Sequence, residues 1–254
     1  MLEENYVYDF WEYQPINQKI IETIEYRKLS KFKFNKILIL AGAGMSQESN
    51  LPVFNGSVKF QSNVSQKEII DLFDNQEPHE GYKLLLEICK GKEYYILTSN
   101  IDDYFRRAGF DPLKIIEIHG NIHYIQCSNG CSNTIKKYEP DETICKQCGE
   151  KMIPNVMTSG LSSFIDKTSE IEKGMMIDIK SGDWTIIEIG AGINLPVIRD
   201  YSEILIEDYS KTMNLIRINP EHWQIPSDIL SKKTVRIPHG AIKGIKILIS
   251  YIKS

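Results

Sequence analysis

The sequence predicts a doubly wound α/β fold, a largely parallel sheet wrapped by helices, with a small cysteine-bearing module inserted into it. Three observations predict it. Short apolar runs recur along the chain and end in small or polar residues, helix-like segments alternate with them, and four of the five cysteines form two close pairs in a stretch that breaks the alternation.

At 254 residues the chain has room for one substantial core and one small satellite. Residues 15–30 (PINQKIIETIEYRKLS) place Ile16, Ile20, Ile21 and Ile24 on one helical face, so an amphipathic helix is expected to pack ahead of the core. KILILAGAG then reads as a buried parallel strand running into a tight turn. Similar runs follow at YYILTSN, KIIEIHG, TIIEIGAG and NLIRIN, with VRI near the end, and HEGYKLLLEICK and IDDYFRRAG read as helices between them. In such sheets ligands sit at the carboxyl ends of the strands. Gly42 and Gly44, Ser99 and Asn100, His119 and Gly120, Gly190 and Gly192, and Asn219 are therefore expected to gather into one crevice.

Residues 57–75 and 121–156 do not follow the alternation and read together as the small module. The expected division is a helical extension over 1–32, a large domain over 33–56, 76–120 and 157–254, and the small domain over 57–75 and 121–156.

With 30 basic against 34 acidic residues, net −4, the charge balance predicts neither a nucleic-acid nor a membrane partner. No stretch approaches the roughly 20 apolar residues that span a bilayer. The start, MLEENYVYDFWEY, is acidic and aromatic rather than basic then apolar. A cytoplasmic protein is expected. Oligomeric state leaves no signal.

An odd cysteine count, four of them clustered, fits a metal site better than a disulfide framework. Cys127 and Cys131 flank three residues and Cys145 and Cys148 flank two, with a joining stretch short enough to fold back as a ribbon. Four thiolates saturate zinc and leave no open position, so one structural zinc per chain is expected; two disulfides or an iron–sulfur cluster are the rivals. Cys89, on an apolar helical face, reads as an inert core thiol.

The turn ILILAGAGMSQESNLP lets Gly42 and Gly44 bring backbone N–H groups close to a pyrophosphate, or is a bare structural turn. Gln47 stands where a dinucleotide fingerprint would have its third glycine, and Glu68, the acid nearest the expected distance, ends no strand. Ser46 and Ser49 offer hydroxyls to phosphate or to a helix cap. Asn100 and Asp102 follow an apolar strand, where Asp102 is either a helix N-terminal acid or a pocket residue. His119 follows another, as a structural histidine or a proton acceptor at neutral pH.

GAGMSQESNLPVF, TSNIDDYFRRAG, EIHG, the two cysteine pairs, GAGINLPV and RIN occur in the order in which the sirtuins show such motifs, over most of residues 37–220. The chain resembles that family. The resemblance implies a Rossmann-like doubly wound parallel sheet with an inserted zinc-ribbon module, and NAD consumed as a co-substrate in the cleft between them. It implies that Gly42, Ala43 and Gly44 line the NAD loop, Ser46 faces the phosphates and Phe54 guards the nicotinamide ribose. Asn100 and Asp102 would hold the nicotinamide pocket, Asn100 also serving catalysis, and His119 would be the general base. Gly190, Gly192 and Asn219 would border the phosphates and adenosine, while Cys127, Cys131, Cys145 and Cys148 hold the zinc.

The implied activity is lysine deacylation of an acylated protein or peptide, releasing nicotinamide and O-acyl-ADP-ribose. Three departures fall near the reacting ribose or the peptide groove: Asn55 where sirtuins usually have arginine, Ser99 where they have glutamine, and NVMTSGLSSFID where a phenylalanine-glycine-glutamate stretch is usual. Protein ADP-ribosylation or NAD hydrolysis needs the same cleft and is the alternative. A non-catalytic NAD sensor or scaffold is the second.

Overall fold

The computed structural model describes residues 25–49, 66–131, 134–157, 164–225 and 233–252. Phe54, Asn55, most of the expected first helix and the middle of NVMTSGLSSFID lie outside the described residues.

Among the described residues, nine strands form two sheets. Six of them, β1 (Lys36–Ala41), β2 (Glu93–Thr98), β3 (Ile115–Glu117), β7 (Trp184–Ile189), β8 (Met213–Ile218) and β9 (Thr234–Ile237), make one all-parallel sheet in the order β3-β2-β1-β7-β8-β9. The chain winds outward from β1 to β3, returns to the centre, and winds outward again from β7 to β9. The switch point lies between β1 and β7, where the open crevice of a doubly wound sheet forms.

The strands read as unbroken apolar runs because both faces are covered. Alternate residues then split between two cores: Ile37, Ile39, Ile187 and Ile216 join one, and Leu38, Leu40, Ile186 and Leu215 the other. Each buried Ile or Leu contributes about 1.5–3 kcal/mol. The first core is closed by α1 (Gln66–Asp74), α2 (Glu80–Cys89) and α6 (Ala241–Ile252), the second by α4 (Ser169–Asp178) and α5 (Val197–Asp208). A short helix, α3 (Tyr104–Arg107), follows β2; it is less extensive than the sequence suggests, because Ala108 already caps it and Gly109 turns away at φ +99°.

Residues 25–29 are helical, and Tyr26 and Leu29 belong to the first core. Glu25 accepts the β9 N–H of Arg236 at 2.8 Å and also pairs with its guanidinium. This part of the expected extension is thus built into the sheet's edge.

The remaining strands, β4 (Gly120–Cys127), β5 (Lys136–Lys137) and β6 (Met152–Val156), form an antiparallel sheet in the order β5-β4-β6. Helix α1 leans on it: Gln66 Nε2 donates to Ile122 O at 3.0 Å, and His123 Nε2 meets Asp74 Oδ1 at 2.9 Å. The two stretches that broke the α/β alternation are neighbours in space. His123 therefore belongs to the contact between α1 and this sheet.

Candidate active site and metal centre

Three glycines make the switch point. Gly42 N donates to Ile189 O at 2.9 Å and Gly44 N to Gly190 O at 3.0 Å, so the turns leaving β1 and β7 lie backbone to backbone. A Cβ on Gly42 would stand 2.6 Å from Gly190 O, and one on Gly190, at φ +64°, would stand 2.3 Å from Met45 N. The glycine turn therefore has a structural cause of its own. What it leaves over is polar: the N–H groups of Ala43, Ala191 and Gly192 have no backbone partner among the described residues. Ala43 is half-buried, and Gly192 is exposed with nothing within 4 Å of a built Cβ. Asn219, at the end of β8, ties the next turn in, donating from Nδ2 to Ala191 O at 2.8 Å and accepting from His222 N at 2.8 Å.

Beneath this turn lies a buried polar cluster. Ser46 Oγ donates to Asp102 Oδ2, Asn100 Nδ2 donates to Ser46 Oγ at 2.8 Å, and the Tyr82 hydroxyl lies 2.9 Å from the same oxygen. Ser46 has one proton, spent on Asp102, so Tyr82 must be a donor and Ser46 Oγ accepts twice. Burial pushes the Tyr82 phenol well above its ordinary pKa, which keeps that donor protonated. Asp102 also accepts the N–H of Tyr104 at 3.0 Å, so it both satisfies the first N–H of α3 and joins the cluster. Burial raises its pKa to about 6, against the lowering pull of Ser46 and Tyr104 N–H. Ser46, expected to face phosphate, turns its hydroxyl inward.

Tyr82, missed by the sequence reading, sits on the apolar face of α2, where its spacing is that of a core aromatic. His79 was missed as well. Its Nδ1 accepts Gly81 N at 3.0 Å, so its Nε2–H donates to Met45 O at 2.6 Å, fixing a neutral tautomer that clamps the glycine turn. Burial holds its pKa below the ordinary value.

His119 follows β3 and is half-buried, its ring hydrogen-bonded to the backbone of Ser99, the residue before Asn100. Burial lowers its pKa, so the imidazole is neutral at physiological pH. Next to it Gly120, at φ +80°, leaves no room for a Cβ, which would stand 2.0 Å from Asn155 O. The joint between the two sheets is held by Glu117, buried at the end of β3. It pairs with Arg106 and, at 3.2 Å, with Lys167, while Asn121 Nδ2 bridges Glu117 and Asp103 at 2.7 and 2.6 Å. Asp103 adopts φ +63°, rare for a non-glycine, and Arg106 holds its carboxylate at 2.8 Å.

The Sγ atoms of Cys127, Cys131, Cys145 and Cys148 all lie within 4.8 Å of one another. The 3.4 Å Cys127–Cys148 approach is far beyond the roughly 2.05 Å of a disulfide. A tetrahedron of thiolates with 2.3 Å metal bonds has edges of about 3.8 Å, within the span of this cluster. Gly149 turns at φ +80° with open space around it, which lets Cys145 N bond Glu150 O at 2.7 Å and aims both sulfurs inward. Cys89 stands apart, 1% exposed, its thiol pushed up to about 12 by burial.

The model of the Sir2 family matches residues 59–194, more than half of the chain. The chain belongs to the Sir2 family. Among this sirtuin's relatives are the NAD-dependent protein deacylase of Aquifex aeolicus, 24% identical with 85% of this chain and 95% of the relative covered, and the NAD-dependent protein deacetylase of Caldivirga maquilingensis, 23% identical with 82% and 89% covered. Among solved structures, a Sir2 homologue in complex with NAD superposes with a TM-score of 0.61 at 18% identity over 94% of each chain. A structure from a study of sirtuin substrate affinity reaches 0.63 at 19% identity over 89% of this chain and 98% of that one. At such identities the structural likeness speaks to fold. The α/β architecture with its inserted cysteine ribbon is that of the sirtuins.

Proposed function

We propose that this sirtuin removes acyl groups from lysine side chains of proteins or peptides, consuming NAD and releasing nicotinamide and O-acyl-ADP-ribose. The observation that carries the reading is the placement of the Ser46–Asn100–Asp102 cluster directly below the switch-point turn, with His119 one backbone contact away. The names of the relatives support NAD-dependent deacylation as the class, and enzyme activity of this kind follows from the family.

NAD is a substrate here. Gly42, Ala43 and Gly44 would shape its phosphate loop together with Gly190 and Gly192, and the N–H groups of Ala43, Ala191 and Gly192, without a backbone partner among the described residues, would face the anion. Asn219 holds the adenosine side. Phe54 is assigned to the nicotinamide ribose. With one of its two carboxamide N–H groups given to Ser46, Asn100 keeps its carboxamide oxygen for the ligand, and Asp102 fixes that orientation through Ser46. Ser46 thus acts on the ligand through Asn100. His119, neutral and next to Ser99, is assigned as the base that takes a proton from a ribose hydroxyl.

The four-cysteine cluster fits zinc. Zinc bound there supplies stability and no reactive position, since all four sites are thiolate. The assigned domains are the sheet with α2–α6 and the ribbon with α1. A cytoplasmic location is proposed from the sequence pattern alone. No helix among the described residues is long and apolar enough to cross a membrane.

The test is incubation with NAD and an acetylated or longer-chain acyl peptide, followed by mass spectrometry. O-acyl-ADP-ribose is expected. Free ADP-ribose formed without peptide would instead assign NAD hydrolysis, the outcome to which the short Ser99 beside His119 lends itself. His119→Ala should cut turnover by about 10²–10⁴ while NAD binding survives; undiminished turnover would remove His119 from its role.

A further inference from the structure

At the edge of the sheet opposite the crevice, below the amino ends of β7, β8 and β9, lies an open cavity of about 560 Å³. Lys28, Lys31, Lys33, Lys211 and Lys233 line it, and Asp183 is the one acid among its described lining residues. Five lysines against one aspartate, on a chain of net charge −4, make this a local concentration of positive charge among the described residues.

Lys33 Nζ meets Asp183 Oδ2 at 2.5 Å, and Lys33, aided by Lys233, holds that carboxyl below the ordinary range. Lys28 Nζ lies 3.5 Å from Thr234 O. Lys31 and Lys211 are exposed and make no ion pair among the described residues. Like charges gathered around a concavity repel one another, and an anion seated among them relieves the repulsion. The volume suits a small molecule, and half-buried Phe32 adds an apolar wall. Position separates the cavity from the NAD crevice, since the two lie at opposite ends of the same parallel strands.

We propose that this cavity is a second ligand site, which takes a small molecule carrying two or more phosphate groups. The proposal stands independently of the deacylase reading. A concave pocket on a net-acidic protein favours such a molecule over a nucleic-acid strand, which would need a basic track along the surface.

Isothermal titration of the full chain with inorganic tripolyphosphate, at low ionic strength and saturating NAD, tests it. One equivalent per chain is expected. The Lys31→Glu/Lys211→Glu variant should bind at least about tenfold more weakly, raised salt should weaken wild-type binding, and NAD turnover of the variant should be unchanged. No heat with wild type, equal affinity in the variant, several equivalents per chain, or displacement by NAD would each overturn the proposal. So would tighter binding of single-stranded DNA that the same substitutions abolish. NAD turnover, measured on the same samples, reports on the deacylase reading separately.

Discussion

Asp102 and Glu188 are both shut away from water, 4% and 0% exposed, and each lies near the carboxyl end of a central region of the large sheet, yet they are handled in opposite ways. Glu188 on β7 faces its cross-strand neighbour Arg217 on β8, with Nε–Oε1 at 2.7 Å and Nη2–Oε2 at 2.9 Å, and Glu203 of α5 adds a second carboxylate at 2.8 Å. Burial works against the Arg217 charge, but the two acids outweigh it and raise its pKa. Asp102 has no ion-pair partner among the described residues. It receives one hydroxyl and one backbone N–H, and burial dominates its titration. A charge buried with its counter-ion is compatible with a purely structural part, whereas one buried without it costs the fold and marks a site where something else is gained.

The comparison is broken most forcefully at Arg217. Arg217→Leu strands Glu188 and should cost about 3–5 kcal/mol in urea unfolding, while the Glu188→Leu/Arg217→Leu double variant should recover most of it. A loss below about 1 kcal/mol in the single variant would mean that the pair is not the structural element described here.

Asp102 should show its strain as a pH dependence. Its native pKa of about 6 lies above the ordinary 3.8, so between those values the native state binds more protons than the unfolded one. Stability therefore falls as pH rises through the window, by about 3 kcal/mol at 1.36 kcal/mol per unit, and is fully relieved only below 3.8. Asp102→Asn should abolish this slope in unfolding curves taken across pH 4–6. It should also lower kcat/KM by about 100-fold without loss of stability at pH 8. A variant that keeps its activity and loses its fold would make Asp102 as structural as Glu188.

Gly190→Ala sharpens the contrast from the backbone side. A positive φ and a 2.3 Å approach to Met45 N should cost about 2 kcal/mol or more and abolish NAD binding, read by thermal melting and calorimetry. The smallest effect is expected at Cys89, where alanine should cost about 1 kcal/mol and leave turnover and metal content unchanged. By contrast, Cys145→Ser should lose the metal, one zinc per chain by elemental analysis, and with it the order of the ribbon.

Much of this architecture is written locally. Apolar runs ending in glycine, asparagine or histidine mark the strands and their functional ends, because a strand covered on both faces must be apolar throughout and a ligand edge must not be. Two short cysteine spacings mark a metal centre for the same kind of reason: few geometries close around four thiolates. Those features, with their order along the chain, suffice for the fold class and the family.

The strand order β3-β2-β1-β7-β8-β9, the meeting of Gly44 with Gly190, the inward turn of the Ser46 hydroxyl toward Asp102 and Tyr82, and the pairing of Glu188 with Arg217 join residues that are 19 to 148 positions apart. No local pattern carries such contacts. They exist only once the strands have taken their places, since a hydrogen bond or ion pair depends on distance in space and the chain specifies neighbours only along itself.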